Sequence, residues 1–108
     1  MICVTIGCGS HKRMIEEWQK LADDNVKFVE LRLDYLRKDP QLYRLLPNRP
    51  TALIATGRRK SDGGMWRGTE EERIKLLRSL IAEGVEYVDL ESDVASNIPR
   101  FGKTKRVV

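Results

Sequence analysis

The stretch Val29–Leu36 reads VELRLDYL and alternates apolar and charged residues along its length. Such alternation is typical of a β-strand, because successive side chains point to opposite faces of the sheet. One face of the strand would carry the apolar residues, and the other would carry Glu30, Arg32 and Asp34. A strand with three charges in one row faces either solvent or a polar site, and the rest of the chain favours the second.

Length and composition are those of a folded protein of modest size. The chain has 108 residues, of which 41% are hydrophobic and 33% are charged. No apolar run approaches the roughly 20 residues that cross a bilayer, and the N-terminus turns polar after Ile6, unlike a secretory signal. The sequence predicts a single domain over residues 1–108 that has no contact with a membrane.

Charge and cysteine content narrow the class of protein further. The net charge is +4, and the two signs are interspersed along the predicted helices, which indicates a mostly solvated surface. Cys3 and Cys8 form no CxxC pair, and His11 is the only histidine. A structural zinc site needs about four ligands, so we predict no metal and reduced thiols in a cytoplasmic protein.

Strand and helix patterns alternate along the chain. Strands are predicted at 2–6, 28–35, 51–56, 85–91 and, as the opening of a fifth strand, 103–108. Helices are predicted at 10–23, 39–47 and 69–84, with at most one turn within 92–100. Ser10 would cap the first helix, and Asp39 would cap the second, with Pro40 at its first helical position. Thr69 and Glu72 would form a capping box at the start of the third helix. The first and third helices each have a predicted buried face: Met14, Ile15, Trp18, Leu21 and Ala22 in the first, and Ile74, Leu77, Leu80 and Ile81 in the third.

This order favours parallel strands joined by helical crossovers, whose sheet is normally covered on both faces. The polar parity recurs in the fourth strand, where Tyr87, Asp89 and Glu91 share one side. An open doubly wound sheet would place these charges under helices, whereas a β/α barrel turns them toward its interior and its active-site end. We therefore predict an α/β fold made of parallel β/α units of a TIM (β/α)8 barrel. Since such a barrel needs ~250 residues, the chain would form about the first half and end in the fifth strand. A network that fills the barrel and binds nothing is the alternative.

The long segment GRRKSDGGMWRG, residues 57–68, permits a second class of function. It contains four cations (Arg58, Arg59, Lys60 and Arg67) with Trp66 among them, as in a module that binds nucleic acid or phosphate. Asp62 and the acidic run 70–72 oppose a phosphate polymer, and the spacing is not that of a P-loop. A Gly-rich polar loop of this length is expected to be mobile.

Taken in order, the runs ICVTI, VELRLDYL, TALIATGRRKSDGG and YVDLE resemble the N-terminal half of type I 3-dehydroquinate dehydratase. The resemblance rests on the E-x-R-x-D strand and the T-x-R-(x)3-[E/D]-G-G loop. It implies a lyase of the shikimate pathway and of aromatic amino acid biosynthesis, which dehydrates 3-dehydroquinate to 3-dehydroshikimate through a Schiff base. It also implies a barrel without metal or organic cofactor, often dimeric, and in some organisms fused to shikimate dehydrogenase.

The resemblance carries residue roles onto this chain. It implies that Glu30 and Arg32 bind substrate from the second strand, Arg58 does so just after the third, and Thr5 stands where many members have a substrate-contacting serine. Asp62 takes the place of a glutamate that orients the catalytic histidine, with a shorter side chain. The resemblance also matches Asp34 and Glu91 to acidic positions that are structural rather than catalytic.

The family's catalytic histidine and Schiff-base lysine have no counterpart in this sequence. His11 does not match the histidine, and none of the lysines matches the Schiff-base position. We therefore predict that the chain alone is inactive. Three explanations are open for a chain of this length: it is a piece of the enzyme, it associates with itself or another chain to cover the open barrel edges, or it folds as an open sheet. A non-catalytic scaffold is a further alternative.

Overall fold

The computed structural model describes residues 2–108 and contains one sheet of five parallel strands. The strands lie side by side in chain order: β1 Cys3–Ile6, β2 Phe28–Arg32, β3 Ala52–Thr56, β4 Tyr87–Asp89 and β5 Lys105–Val107. Between them run α1 His11–Asp23, α2 Leu42–Leu45, α3 Glu70–Ala82 and α4 Ser92–Ala95. The predicted α/β class with parallel β/α units, ending in a fifth strand, is confirmed.

The two faces of the sheet differ in the way the alternation predicts. Val29, Leu53 and Ala55 are fully buried in the apolar core, as are Leu31 and Val88. The other face carries a polar row at its carboxyl end, which the strand register sets by pairing Thr5 with Glu30 and Arg32 with Thr56. Helices therefore cover one face only, and the polar residues share the other.

Helix α1 begins at the predicted cap, since Ser10 Oγ accepts a hydrogen bond from the Arg13 amide. Met14 and Trp18 are buried on its inner face, and Trp18 Nε1 donates to Thr51 Oγ1 at 2.8 Å. The placement of Ile15 in the buried stripe is wrong, because this side chain is 37% exposed. It lies about 100° around the helix from Met14, at the margin of the stripe where no other element covers it.

Helix α3 has the predicted capping box, in which the Thr69 and Glu72 side chains each accept from the other residue's backbone amide. Leu77, Leu80 and Ile81 are buried as predicted, and Ile74 packs against the core while partly exposed. The helix also buries Arg73 completely, which no apolar pattern predicts.

The second strand is shorter than its alternation predicts. β2 ends at Arg32, and Leu33–Tyr35 form a 3₁₀ turn. Asp34 therefore does not continue the strand face that carries Glu30 and Arg32. The prediction of three charges in one row is wrong for Asp34. The turn is stabilised by the Asp34 carboxylate, which accepts from Arg32 and from the distant Met65 amide.

The second helix also begins later than predicted. α2 starts at Leu42, and neither a cap at Asp39 nor a first helical turn at Pro40 is present. The reason is a tertiary contact, since the Gln41 amide donates to His11 Nε2 at 2.9 Å and keeps Gln41 out of the helical conformation. Within residues 2–108, no helix is both long and apolar enough to span a bilayer.

Candidate active site

Glu30 lies at the centre of the polar face, between β1 and β3. Its Oε1 accepts a hydrogen bond from Thr5 Oγ1 at 2.9 Å, and its Oε2 accepts one from Thr56 Oγ1, also at 2.9 Å. Thr56 is fully buried, whereas Glu30 is partly exposed and Thr5 is exposed. The two hydroxyls fix the carboxylate while its remaining lone pairs stay available to a ligand.

Arg32 is held at the end of β2 by two contacts. Its Nε and Nη2 donate to Asp34 Oδ1 and Oδ2 at 3.2 and 3.0 Å, and its guanidinium lies 4.8 Å from the centre of the Tyr35 ring. The hydrogen bonds to Asp34 raise the pKa of Arg32 against the opposing effect of burial. Arg32 is thus a fixed and permanent cation beside Glu30.

Arg58 comes directly after β3. With Glu30, Arg32 and their hydrogen-bond partners, it forms a set of side chains that we call the polar group. Its Nε donates to Asp89 Oδ2 at 2.9 Å, and this bond raises the pKa of Arg58. The charges of Arg32 and Glu30 also act on Arg58, the first opposing and the second favouring its protonated state. With 41% of its side chain exposed, Arg58 keeps donors free for a ligand.

Asp62 lies in an exposed network of ion pairs around Arg59. It is exposed, and its Oδ2 accepts from Arg59 Nε at 2.7 Å. Arg59 also binds both carboxylate oxygens of Asp93, at 3.0 and 3.1 Å, and reaches Glu70 Oε2 at 3.3 Å. None of the hydrogen bonds among residues 2–108 joins Asp62 to Glu30 or Arg32, so its orienting role stays a prediction.

Arg73, a buried cation on α3, binds the backbone at the start of the loop that follows β3. Arg73 Nη1 donates to the Gly57 carbonyl at 2.9 Å, and its other nitrogens contact the Glu70 carboxylate. Glu91 Oε1 lies 2.9 Å from Arg73 Nη2 but off the N–H axis, so that contact is an ion pair rather than a hydrogen bond. Burial opposes the charge of Arg73, yet these carboxylates raise its pKa overall.

His11 lies outside the polar group. It is buried at the start of α1, and burial together with the charges of Arg44 and Lys38 lowers its pKa. A neutral imidazole suits its role as acceptor for the Gln41 amide. Across residues 2–108, no three His, Cys, Asp or Glu side chains are arranged to hold a metal ion.

Two members of the polar group were not predicted to be site residues. Thr56 is the hydrogen-bond partner of Glu30 on β3, and Asp89 is the partner of Arg58 on β4. A signal for Thr56 was available, since Ala52, Ile54 and Thr56 share the face opposite the buried Leu53 and Ala55. Asp89 had the right parity, but its pairing with Arg58 depends on a loop conformation that parity does not give.

The polar group is suited to bind a small polar molecule from more than one side. A carboxylate accepts from hydroxyls, and two guanidinium groups donate to hydroxyl, carbonyl or carboxylate oxygens. Parallel β/α units with polar residues at the carboxyl ends of the strands are typical of β/α-barrel enzymes. Within that class, the family model of type I 3-dehydroquinase matches residues 2–107, and the chain belongs to this family.

Similarity to individual relatives leads to the same family. The chain is 33% identical over 99 residues to the bifunctional 3-dehydroquinate dehydratase/shikimate dehydrogenase of Arabidopsis thaliana, covering 89% of this chain and 16% of that protein. It is 31% identical over 103 residues to 3-dehydroquinate dehydratase of Desulfotalea psychrophila, covering 95% and 44%. The chain thus spans less than half the length of these relatives.

A solved structure supports the fold. Dehydroquinate dehydratase and shikimate dehydrogenase from S. pombe superimposes with a TM-score of 0.61 at 21% identity, over 88% of this chain and 21% of that one. The predicted TIM-barrel class is confirmed, with this chain forming part of the barrel.

Proposed function

We propose that this chain supplies the N-terminal part of the substrate site of a 3-dehydroquinate dehydratase. The reaction is the dehydration of 3-dehydroquinate to 3-dehydroshikimate, through a Schiff base, in the shikimate pathway. The observation that carries the proposal is the arrangement of Glu30, Arg32 and Arg58 on one face, at the carboxyl ends of β2 and β3. Family membership supplies the reaction type.

The residue chemistry matches such a substrate, which is a hydroxylated ring with a ketone and a carboxylate. Glu30 would accept from ring hydroxyls, while Arg32 and Arg58 would donate to ring oxygens. Thr5, exposed beside Glu30, would contact the same ligand. Holding the ring in a single orientation lowers the barrier by roughly 7–11 kcal/mol in the best-oriented cases.

The proton-transferring histidine and the Schiff-base lysine would come from outside these 108 residues. Residues 1–108 would be one incomplete barrel domain that is inactive alone, needs no cofactor, and has Asp62 near the histidine in the completed site. A cytoplasmic location also stays a prediction, which the free Cys3 and Cys8 support.

The paired cations are the reason to prefer a small acid over a nucleic acid. Arg59 is surrounded by three carboxylates and Arg58 is bound to Asp89, so much of the loop's positive charge is already matched. A phosphate polymer would have to displace these acids, and its binding would fall steeply with salt.

Association would cover the open edges of the sheet, as a homo-oligomer or with another chain. Ile2 beside β1 is 79% exposed, and Val107 and Val108 at β5 are 40% and 72% exposed. Unpaired strand edges of this kind invite pairing with another chain. Sedimentation at increasing concentration is expected to show self-association, which charged substitutions at Val107 and Val108 would weaken. A monomer at all concentrations would contradict the homo-oligomer and leave association with another chain.

The function is tested by completing the barrel. The chain would be fused to the remaining C-terminal part of the Desulfotalea psychrophila relative, and dehydration would be followed by the absorbance of the enone product. We expect turnover by the fusion, none by the chain alone, and a large loss in the fusion with Glu30→Gln. Turnover by the chain alone would refute the predicted inactivity, and full activity of a folded Glu30→Gln fusion would refute the proposed site.

A further inference from the structure

Asp34 is the only buried acid within residues 2–108, with 1% of the residue exposed. A buried carboxylate is costly unless hydrogen bonds compensate its charge. Asp34 accepts three of them: from Arg32 Nε at 3.2 Å, Arg32 Nη2 at 3.0 Å and the Met65 amide at 2.9 Å. A ligand on the polar face cannot reach this carboxylate, because its side chain is 0% exposed.

The two groups that Asp34 binds belong to different parts of the chain. Arg32 ends β2, and Met65 lies 31 residues beyond Asp34 in the loop that follows β3. Arg32 Nη2 and the Met65 amide share the same oxygen, Asp34 Oδ2. A displacement of either partner therefore changes the bond that holds the other.

The loop passes this restraint on to Arg58. A Cβ atom added at Gly64 would clash with the Arg58 carbonyl oxygen, so the turn before Met65 packs directly on Arg58. The Trp66 amide donates to the same carbonyl at 3.2 Å. Fixing the Met65 amide thus fixes the backbone that carries Arg58.

The direction of Arg32 is determined as well. Its Nε and Nη2 are both engaged by Asp34, and the Tyr35 ring covers one face of the guanidinium. Both N–H groups of Nη1 and the second N–H group of Nη2 remain for a ligand. Without Asp34, the guanidinium could rotate about its long side chain and present any of its donors.

We infer that Asp34 is a positioning residue, which holds Arg32 and the Arg58 loop in one arrangement by binding both through its carboxylate. The inference rests on the proposed function in so far as Arg32 and Arg58 contact the substrate. The arrangement itself exists without substrate and can be measured without it.

The first test uses the ligand-free chain and the isosteric variant Asp34→Asn, with Asp39→Asn at an exposed site as the matched control. Hydrogen exchange is followed by NMR at the Met65 amide and the Arg32 Nε–H. We expect both to exchange about tenfold faster in Asp34→Asn and at the wild-type rate in Asp39→Asn. Wild-type rates at both groups in Asp34→Asn would overturn the inference.

The second test is a double-mutant cycle on 3-dehydroquinate binding. Asp34→Asn is expected to raise the Kd about tenfold in the wild-type background, but less than about threefold when Arg32 is already alanine. A purely structural role would weaken binding by the same factor in both backgrounds, and that result would overturn the inference. If the wild-type chain binds no 3-dehydroquinate, the proposed function fails, and the exchange experiment alone decides the role of Asp34.

A wild-type measurement keeps the inference falsifiable if Asp34→Asn does not fold. Arg13 provides an internal reference, because its side chain is 74% exposed. The Arg32 Nε–H is expected to exchange at least about tenfold more slowly than the Arg13 Nε–H. Equal rates would show that Asp34 does not hold Arg32 and would overturn the inference.

Discussion

The two faces of this sheet are built from alternating residues of the same strands, yet they are stabilised differently. On the helix-covered face, Val29, Leu53 and Val88 are completely buried and rely on packing. On the open face, Glu30 and Arg32 are partly exposed, and each is held by directional bonds to named partners. The difference shows that apolar packing stabilises one face and directional polar contacts order the other, which is the face that we propose binds the ligand.

Truncating the covered face should have the largest effect. Leu53→Ala is expected to lower the free energy of unfolding by about 2–5 kcal/mol, because Leu53 is fully buried. The neighbouring Ile54 points to the open face and is only partly buried, so Ile54→Ala should cost less than half as much. Chemical denaturation of both variants checks this, and equal losses would break the comparison.

A change on the open face should affect binding more than stability. Glu30→Gln is expected to weaken 3-dehydroquinate binding about tenfold, since an ionic acceptor is lost, and to change unfolding by no more than about 1 kcal/mol. Glu86→Gln is the matched control, because Glu86 accepts from the Leu53 amide before β4 begins. Calorimetry on both variants is the measurement, and equal affinities for them would remove Glu30 from the site.

The covered side should respond to pH through His11. Its pKa is lowered in the fold, so the unfolded chain takes up a proton first as pH falls below about 6.5. Stability should therefore decrease from about pH 7 downward and level off below the pKa of the folded state. His11 is the only histidine, so His11→Gln should flatten the curve above pH 5. A wild-type curve that is already flat there would contradict the buried neutral imidazole.

The smallest effect is expected in the exposed network around Arg59. Arg59→Gln removes the cation shared by Asp62 and Asp93, and should change the free energy of unfolding by only about 0.2–1 kcal/mol. Amide exchange in residues 60–64 should nevertheless become faster, because this network ties the loop down. Lys60→Gln is the control within the same loop. Exchange in 60–64 at the wild-type rate in Arg59→Gln would show that the loop is held by other contacts.

The sequence correctly predicted the features that depend on residues close together in the chain. Alternation assigned Val29, Glu30, Leu31 and Arg32 to the correct faces, and the Thr69 capping box placed the start of α3 correctly. Both signals depend on residues within a few positions of each other.

The errors have distant causes. The turn at Asp34 depends on the Met65 amide, and the late start of α2 depends on His11, 30 residues before Gln41. The partners of Glu30 and Arg58 likewise come from other strands, which a single strand pattern does not reveal. The resemblance named Glu30, Arg32 and Arg58, but it did not reveal what holds them in place.

The most direct test of the central claim is an NMR titration of the isotopically labelled chain with 3-dehydroquinate, up to concentrations on the order of millimolar. We expect saturable shifts of the Arg32 and Arg58 Nε–H signals, with the amides of the helix-covered face unchanged. No shift at either arginine, or shifts confined to another part of the molecule, would contradict the claim that the polar face binds the substrate.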